Sequence, residues 1–436
     1  MKLGKWILLL GLDLLFSAQA AFGQHISFLK GKENEEPKPI ELKLPYAFYN
    51  SNFGAAVGGV YGVTGWPQKQ STFVATVIGG SNSALAGYFL GKDFRIPFTE
   101  RLFLDPIIAL STFGETENYS SGNPSFRGER AGGNDSSKDN YVEGDTTDNF
   151  VYLTFRYLLP IGDGKKEAIN TYVMDRGLLH SGATGGKSLW NPFVSGKTFI
   201  TARPYYRSQK IRADYGDFPK RTNGAEFGLL FQNTDFHPNP STGNTLRLRY
   251  YEDWGWFDST NPYQVVAGEY SHYFNLGATN TFRQRVLAFD IFTADVPSWN
   301  DYDMEGGTRV FHQPPGYQGA SLGGLWRMRA YPSYRYNDRS VIYYCGEIRL
   351  TPEWNPFAKS AWVEKYLSIP WWQWVFFAEV GRVAPSWALG NLHSEMKFDM
   401  GVGVRAQIKG LVLRIDAAGS SESYGVQMFL SQPFQF

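Results

Sequence analysis

Three arginines lie close together in the sequence LGGLWRMRAYPSYRYND, which spans residues 322–338. The guanidinium group is a planar fork of N–H donors that pairs with carboxylates or phosphates. Arg327, Arg329 and Arg335 therefore have three possible environments: water, the phosphates of lipopolysaccharide, or carboxylates in an enclosed interior. Two carboxylates suited to the third environment, Glu347 and Glu379, follow on predicted strands.

The histidines and the cysteine show no pattern typical of catalysis or metal binding. No histidine forms a His-x-Ser pair on a predicted strand, and no His-x-x-x-His spacing occurs. The single cysteine, Cys345, can form neither an internal disulfide nor a cysteine-based zinc site. The sequence therefore predicts a protein that is not an enzyme and that uses no cofactor or metal.

The beginning of the chain is typical of a secretory signal peptide. Lys2 and Lys5 precede an apolar stretch, and small residues follow it around Ala18 and Ala20. The stretch 24–44 is polar and charged, which predicts a short periplasmic tail without a fold of its own. The expected organisation is a signal peptide at 1–23, a tail at 24–44 and one folded region at 45–436.

The composition favours an all-β protein. Aromatic residues make up 17% of the chain, glycines number 47, and charged residues make up only 19% with a net charge of +1. No run of 18 apolar residues occurs, so no membrane-spanning helix is predicted. The near-neutral net charge gives no reason to expect nucleic acid as a partner.

Short segments alternate between apolar and polar residues with the period of a β-strand. In 372–381, Trp372, Trp374 and Phe376 alternate with Gln373 and Glu379. The final segment, SYGVQMFLSQPFQF, places apolar residues on one face and ends on an aromatic residue, which is typical of an outer-membrane barrel. Its predicted membrane-facing signal residues are Tyr424, Phe434 and Phe436. In such a barrel the apolar face contacts lipid and the charged face lines the lumen.

We predict a single antiparallel transmembrane barrel of sixteen strands, an even number as bacterial barrels require. The predicted strands are 45–50, 54–64, 70–80, 84–95, 101–114, 147–159, 197–212, 222–234, 243–254, 262–275, 281–292, 339–351, 372–382, 396–407, 410–418 and 423–436. The arginine-rich stretch then lies in the loop between strands 11 and 12. Two long connections, 161–196 and 352–371, fall on the periplasmic side, and the second has the composition of a short amphipathic helix.

Several motifs, in order along the chain, resemble one known family. The segment Gly323, Gly324, Met328, Arg329, Ala330 and Tyr331 is similar to the GG-x-x-S-V-R-G-[FY] loop of the BamA/TamA superfamily, the bacterial surface antigen domain. The stretch GEIRLTP at 346–352 resembles its G-x-E-x-R-x-P strand, and FAEVG at 377–381 resembles its F-x-D-x-G strand. The stretches GVGVR at 401–405, LRID at 413–416 and QPF at 432–434 match the last three strands.

The resemblance implies a role for the loop arginine. In the family this side chain enters the lumen and pairs with two strand carboxylates, so Arg329 is expected to pair with Glu347 and Glu379. The loop would then be fixed inside the barrel. Further charges are expected to point into the lumen, namely Arg349, Arg405, Arg414 and Asp416. Ala330 departs from the family motif, which has glycine there, and the stretch before residue 45 is too short for the family's periplasmic POTRA repeats.

Two functions remain open for a barrel of this kind in the bacterial outer membrane. The first is help with protein insertion or translocation, together with a partner, through a weak seam between the first and last strands. The second is a plugged channel or a lipid-handling barrel with no protein substrate. The expected partners are outer-membrane lipid and lipopolysaccharide, with a periplasmic protein or a second copy of the chain as further candidates.

Overall fold

The structure is a computed structural model that describes residues 27–32, 36, 38–50, 52–120, 122–187 and 190–434. The predicted signal peptide and Phe436 lie outside these residues. In chain order the strands are β1 (Ser27–Lys30), β2 (Ile40–Asn50), β3 (Gly54–Thr64), β4 (Thr72–Gly80), β5 (Leu85–Lys92), β6 (Phe94–Arg95), β7 (Leu102–Asn118), β8 (Val142–Leu158), β9 (Asn170–Asp175), β10 (Leu178–Ser181), β11 (Lys197–Ala213), β12 (Gly216–Thr234), β13 (Gly243–Asp253), β14 (Tyr263–Asn275), β15 (Phe282–Asp295), β16 (Tyr302–Glu305), β17 (Thr308–Phe311), β18 (Ala320–Leu322), β19 (Tyr336–Asp338), β20 (Ser340–Pro352), β21 (Trp372–Ala384), β22 (Lys397–Ile408), β23 (Leu411–Ser420) and β24 (Tyr424–Phe429).

The helices are few and short. The described residues form two α-helices, α1 (Ala361–Tyr366) and α2 (Leu389–Leu392), and 3-10 turns at Gly162–Lys165, Pro297–Asn300 and Pro356–Lys359. The predicted helix in the connection 352–371 is confirmed as α1, which begins after the capping residue Ser360. Within the described ranges, no helix has the length and apolar character needed to cross a membrane.

One large antiparallel sheet of 16 or 17 strands dominates the fold, the count depending on whether the two-residue β6 is taken separately. The strands pair in sequence order, with the short sheets β1–β9–β10, β16–β17 and β18–β19 outside the series. Each of the sixteen predicted segments contains a strand of this sheet. The pairing begins with β2 on β3 and ends with β23 on β24, and no register joins β2 to β24 among their described residues.

The two faces of the sheet have opposite chemistry. Along β21, Trp374 and Phe376 are exposed, whereas Gln373, Phe377 and Glu379 are buried. On β22, Met400 is 56% exposed and Arg405 is 0% exposed. Because side chains alternate across a strand, the sheet curls round an interior that contains the charged side chains. The apolar side chains face outward, which is the reverse of a soluble protein.

The N-terminal stretch differs from the predicted tail. β2 begins at Ile40, five residues before the predicted boundary at 45, and Ser27–Lys30 forms a strand that pairs in parallel with β9. The residues Ile40, Leu42 and Leu44 alternate with charged residues, so they continue the strand pattern that was assigned only from residue 45. The described part of 24–44 therefore contains the short strand β1 and the first residues of β2, and the first strand of the large sheet begins before residue 45.

The end of the chain also differs from the prediction. The last strand was expected to reach residue 436, but β24 ends at Phe429. Pro433 has no N–H to donate to a ladder, and the side chain of Gln432 donates to Asn239 Oδ1 at 3.0 Å in the interior. Phe434 is 2% exposed and adopts a φ of 62°, so its expected position on the membrane-facing surface is wrong.

Candidate functional site at the buried arginine loop

The candidate site is built by the segment 296–339, which connects β15 to β20. Its hairpin β16–β17 is exposed, whereas most side chains between Pro314 and Asp338 are buried or half-buried. Gly323 and Gly324 adopt positive φ values of 107° and 99°. A Cβ atom at Gly323 would lie 2.1 Å from the carbonyl oxygen of Pro332, so only glycine allows this close turn.

Arg329 occupies the centre of the site and is 1% exposed. Its Nη2 lies 3.0 Å from Glu347 Oε1, and its Nε lies 3.2 Å from Glu379 Oε1. Its Nη1 donates to Asp416 Oδ2 at 2.6 Å. These carboxylates come from β20, β21 and β23, so one side chain contacts three strands of the sheet.

The backbone of the loop is fixed at the same place. The N–H of Arg329 donates to Glu379 Oε2 at 2.7 Å, and the N–H of Ala330 donates to Asp399 Oδ2 at 2.9 Å. The guanidinium also lies over the ring of Phe377, 3.4 Å from the centroid. Glu379 accepts a further hydrogen bond from the hydroxyl of Tyr343. The orientation of the loop is thus set by several contacts besides the ion pairs.

Neighbouring arginines complete the charge balance of the site. Arg405 donates to both carboxylate oxygens of Glu347, at 2.9 and 3.1 Å, and Arg349 Nη2 lies 2.8 Å from the same carboxylate. Arg414 Nη1 lies 3.6 Å from Asp416 Oδ2. This cluster thus contains four arginines and four acidic side chains, so its buried charges have partners of the opposite sign. Its members are Arg329, Arg349, Arg405, Arg414, Glu347, Glu379, Asp399 and Asp416.

The other two arginines of the loop also pair with carboxylates in the interior. Arg327 Nη2 lies 2.5 Å from Glu269 Oε1 on β14. Arg335 Nη2 lies 2.6 Å from Glu422 Oε1 in the turn between β23 and β24. Tyr336 follows Arg335 in the chain, and burial raises the pKa of its hydroxyl. The hydrogen bond that this hydroxyl donates to Glu422 raises the pKa further. The loop is therefore attached to widely separated parts of the sheet.

Ala330 stands where the family motif has glycine, and it causes no conformational strain here. Ala330 is not among the residues with positive φ, and Met328 takes the left-handed conformation instead, with a φ of 58°. The close approach needed at this point is provided by Gly425 on β24. A Cβ atom there would lie 2.8 Å from the carbonyl oxygen of Arg329.

The structure brings most of the predicted site residues together. Arg349, Arg405, Arg414, Asp416, Glu347 and Glu379 all lie in the cluster around Arg329. Of the other predicted loop residues, Ala330 donates to Asp399 and Tyr331 donates to the carbonyl oxygen of Phe398, whereas Gly323 and Gly324 form the turn. Tyr424 lies apart on the outer surface, 78% exposed, and Phe434 lies in the interior. The sequence reasoning did not assign roles to Asp399, Tyr343, Phe377 or Gln427. The alternation of β22 already placed Asp399 on the charged face, so its inward position could have been predicted from the sequence.

One catalytic pattern was overlooked in the sequence. Gly319-Ala-Ser321-Leu-Gly323 matches the Gly-x-Ser-x-Gly spacing of a nucleophile elbow, which needs a strand-to-helix turn. Here Ser321 lies on β18 opposite Asn337 of β19. That context is a two-stranded ribbon, so the pattern carries no catalytic role. In the described part of the chain, no cluster of three or more metal-ligating side chains occurs.

A cavity of about 330 Å³ lies beside the loop. It is bordered by loop residues including Tyr331 and Tyr334, by Tyr424 and Gly425 at the start of β24, and by Glu115, Glu117 and Glu143. The cavity therefore lies between the loop and the beginning of the last strand.

Comparison with known proteins shows likeness at the level of the fold. No family model and no curated protein matches the chain. Among solved structures, CdiB from Escherichia coli is 10% identical, with a TM-score of 0.53 over 91% of this chain and 63% of that chain. CdiB from Acinetobacter baumannii is 8% identical, with a TM-score of 0.48 over 90% of this chain and 60% of that chain.

A third solved structure is BamA from Haemophilus ducreyi lacking POTRA domains 1–3. It is 12% identical, with a TM-score of 0.47, and the match covers 91% of this chain and 70% of that chain. BamA and CdiB are outer-membrane β-barrel proteins of Gram-negative bacteria. The match thus spans 60 to 70% of the length of these solved chains. The resemblance found in the sequence motifs is confirmed at the level of the fold, which the chain shares with E. coli CdiB.

Proposed function

We propose that this chain is an outer-membrane barrel, closed by the approach of β2 and β24, with the loop 296–339 folded into its lumen. The exposed apolar side chains of the sheet match the hydrocarbon of a membrane, and the buried charges match an enclosed lumen. A sheet with these two faces would be unstable in water, because its outer surface is apolar over many strands.

We further propose that the barrel assists the insertion or translocation of proteins in the outer membrane. The observation that carries this proposal is the seam at the ends of the sheet. β24 has only six residues, and no register joins it to β2 in the part of the chain that the structure describes. Unpaired strand edges are templates for another strand. A client strand could pair there while every other strand of the sheet keeps its neighbours.

The buried loop supports β24 from the inside. Gln427 Nε2 donates to the carbonyl oxygen of Arg329 at 2.9 Å, and Ser423 Oγ donates to that of Ala330 at 2.8 Å. The rings of Trp326 and Phe429 pack edge to face at 5.0 Å. The loop thus braces β24 and the turn before it from the interior, through side chains and without occupying the backbone edge of the strand. Its arginine cluster would set how readily the seam opens.

Depletion of the protein in its own bacterium tests this function. Quantitative proteomics of the outer membrane is expected to show reduced levels of other barrel proteins. Parent protein should restore them, and so should Arg309→Ala, which changes an exposed arginine of the hairpin β16–β17. Arg329→Ala and the milder Gln427→Ala should restore them less well. An unchanged set of outer-membrane proteins after depletion would rule the proposal out.

One observation favours the alternative of a plugged channel or lipid-handling barrel. The buried part of the loop contacts both β14 and β23, so it crosses the interior. Single-channel recording of the Arg329→Ala variant distinguishes the two functions. A large increase in conductance together with an unchanged outer-membrane proteome would favour the channel. A periplasmic protein or a second copy of the chain remains the proposed partner of an assembly function.

A further inference from the structure

The last strand leaves the sheet before it reaches the end of its neighbour. The register of β23 with β24 runs from Gly419 opposite Tyr424 to Arg414 opposite Phe429. Beyond Phe429 the chain turns inward, where Gln432 contacts Arg405 and Asn239. The first residues of β23, Leu411–Leu413, therefore have a partner on β22 and none on β24 in the described part of the chain.

An apolar cluster lies at the same end of the molecule as this gap. Leu42 of β2, Ile408 at the end of β22 and Ile369 in the connection before β21 form its buried centre. Further side chains pack around them from the sheet and from the connection: Leu44, Val60, Ala406, Leu411, Leu413, Phe357, Val363 and Leu367. The connection that contains α1 thus brings apolar side chains to both sides of the seam.

The two sides of the seam hold this connection differently. On the β22–β23 side, the N–H of Lys409 donates to the carbonyl oxygen of Leu367 at 3.1 Å, and the Nζ of Lys409 donates to that of Lys365 at 3.4 Å. Asn355 Nδ2 donates to the carbonyl oxygen of Ile369 at 2.7 Å and fixes the connection internally. On the other side, the apolar cluster includes Leu42 and Leu44 of β2.

The outer side of α1 faces away from this cluster. Trp362 is exposed, and its ring lies 5.3 Å from that of Tyr366, which is also exposed. Trp and Tyr side chains are enriched where a membrane meets water. The helix therefore places Val363 and Leu367 against the seam and its aromatic side chains towards the surroundings. A substitution on the side that faces the seam can therefore be compared with one on the outer side of the same connection.

We propose that the connection 353–369 is a latch that holds β2 against the β22–β23 hairpin at the periplasmic end of the seam. The inference rests on the proposed function of the seam and adds an element that controls the opening of the seam. Opening requires separation of the apolar contacts with Leu42 and Leu44, while the hydrogen bonds to Lys409 keep the latch attached to the hairpin. Apolar contacts have no directional requirement, so the contacts between the connection and β2 can separate and re-form.

Hydrogen–deuterium exchange of the folded protein in lipid nanodiscs tests the latch. In Ile369→Ala, backbone amides of Ile40–Leu44 and Leu411–Leu413 are expected to exchange at least tenfold faster than in the parent. Leu42→Ala, which shortens the side chain on the opposite side, should have the same effect. Trp362→Ala, on the outer side of the same helix, should leave these rates unchanged. Heat-modifiable migration in gels confirms that each variant is folded.

The outcomes separate the latch from the proposed function. Parent-like exchange in both Ile369→Ala and Leu42→Ala would overturn the latch, whatever happens in cells. Equal acceleration by Trp362→Ala would also overturn it, because the effect would then not come from the seam contacts. Faster exchange in the two seam variants with normal levels of other barrel proteins would leave the latch in place and count against a role in assembly.

Discussion

At Arg329 a single guanidinium group meets Glu347, Glu379 and Asp416, and all four side chains are buried. The family motif predicted two of these partners by position. The third, Asp416, was recognised only as a lumen charge, because the depth to which a loop enters an interior is not encoded in residue spacing. The need for glycine at position 425 could not be predicted for the same reason, since it arises from the close contact between the loop and a strand that is distant in sequence.

The substitution Arg329→Ala is expected to destabilise the protein by about 3–5 kcal/mol, because it leaves buried carboxylates without their cation. Arg329→Lys should recover only part of the loss, since an ammonium group cannot reach three carboxylates as a fork does. Equilibrium unfolding in urea, in detergent micelles or lipid vesicles, measures both. Arg309→Ala is the matched control, and an Arg329→Ala variant as stable as that control would contradict the role of the cluster.

At the scale of elements, the strands were predictable and the loop conformation was not. In 372–381 the period of two, with Trp374 and Phe376 on one face and Gln373 and Glu379 on the other, was enough to predict the strand and its inward face. The inward turn at Gln432 broke this rule, because the pattern of apolar residues continues through Leu430 and Phe434. The ribbon β18–β19 and the strand β1 were missed since each has fewer than five residues and takes its stability from contacts elsewhere in the chain.

Limited digestion with trypsin should report the state of the loop. In the parent, cleavage is expected after the exposed Arg309, whereas Arg327 and Arg335 should be protected by their pairing with Glu269 and Glu422. In Arg329→Ala, the loop should detach and cleavage after Arg327 and Arg335 should follow. Mass spectrometry of the fragments identifies the sites. Protection of Arg327 and Arg335 in that variant would mean that the loop is held without the central cluster.

At the scale of the whole molecule, the arrangement is an inverted one, with lipid-compatible side chains outside and ion pairs inside. The sequence predicted this inversion from Met400 and Val402 alternating with Asp399 and Arg405, together with the motif order in the last third of the chain. It did not predict that β24 ends at Phe429 and that the chain then turns inward, because this turn depends on contacts of Gln432 with Arg405 and Asn239, which are distant in sequence.

Site-directed fluorescence along β22 measures this inversion directly. Single cysteines are placed at Phe398, Met400 and Val402, which are exposed on β22, and for comparison at Thr308 and Arg309 of the exposed hairpin β16–β17. Each is made in a Cys345→Ala background, labelled with a small fluorophore and reconstituted in vesicles that contain a lipid-soluble quencher. Labels at Phe398, Met400 and Val402 should be strongly quenched, and labels at Thr308 and Arg309 should be protected. Equal quenching at the β22 and hairpin positions would contradict a membrane barrel whose apolar face contacts lipid.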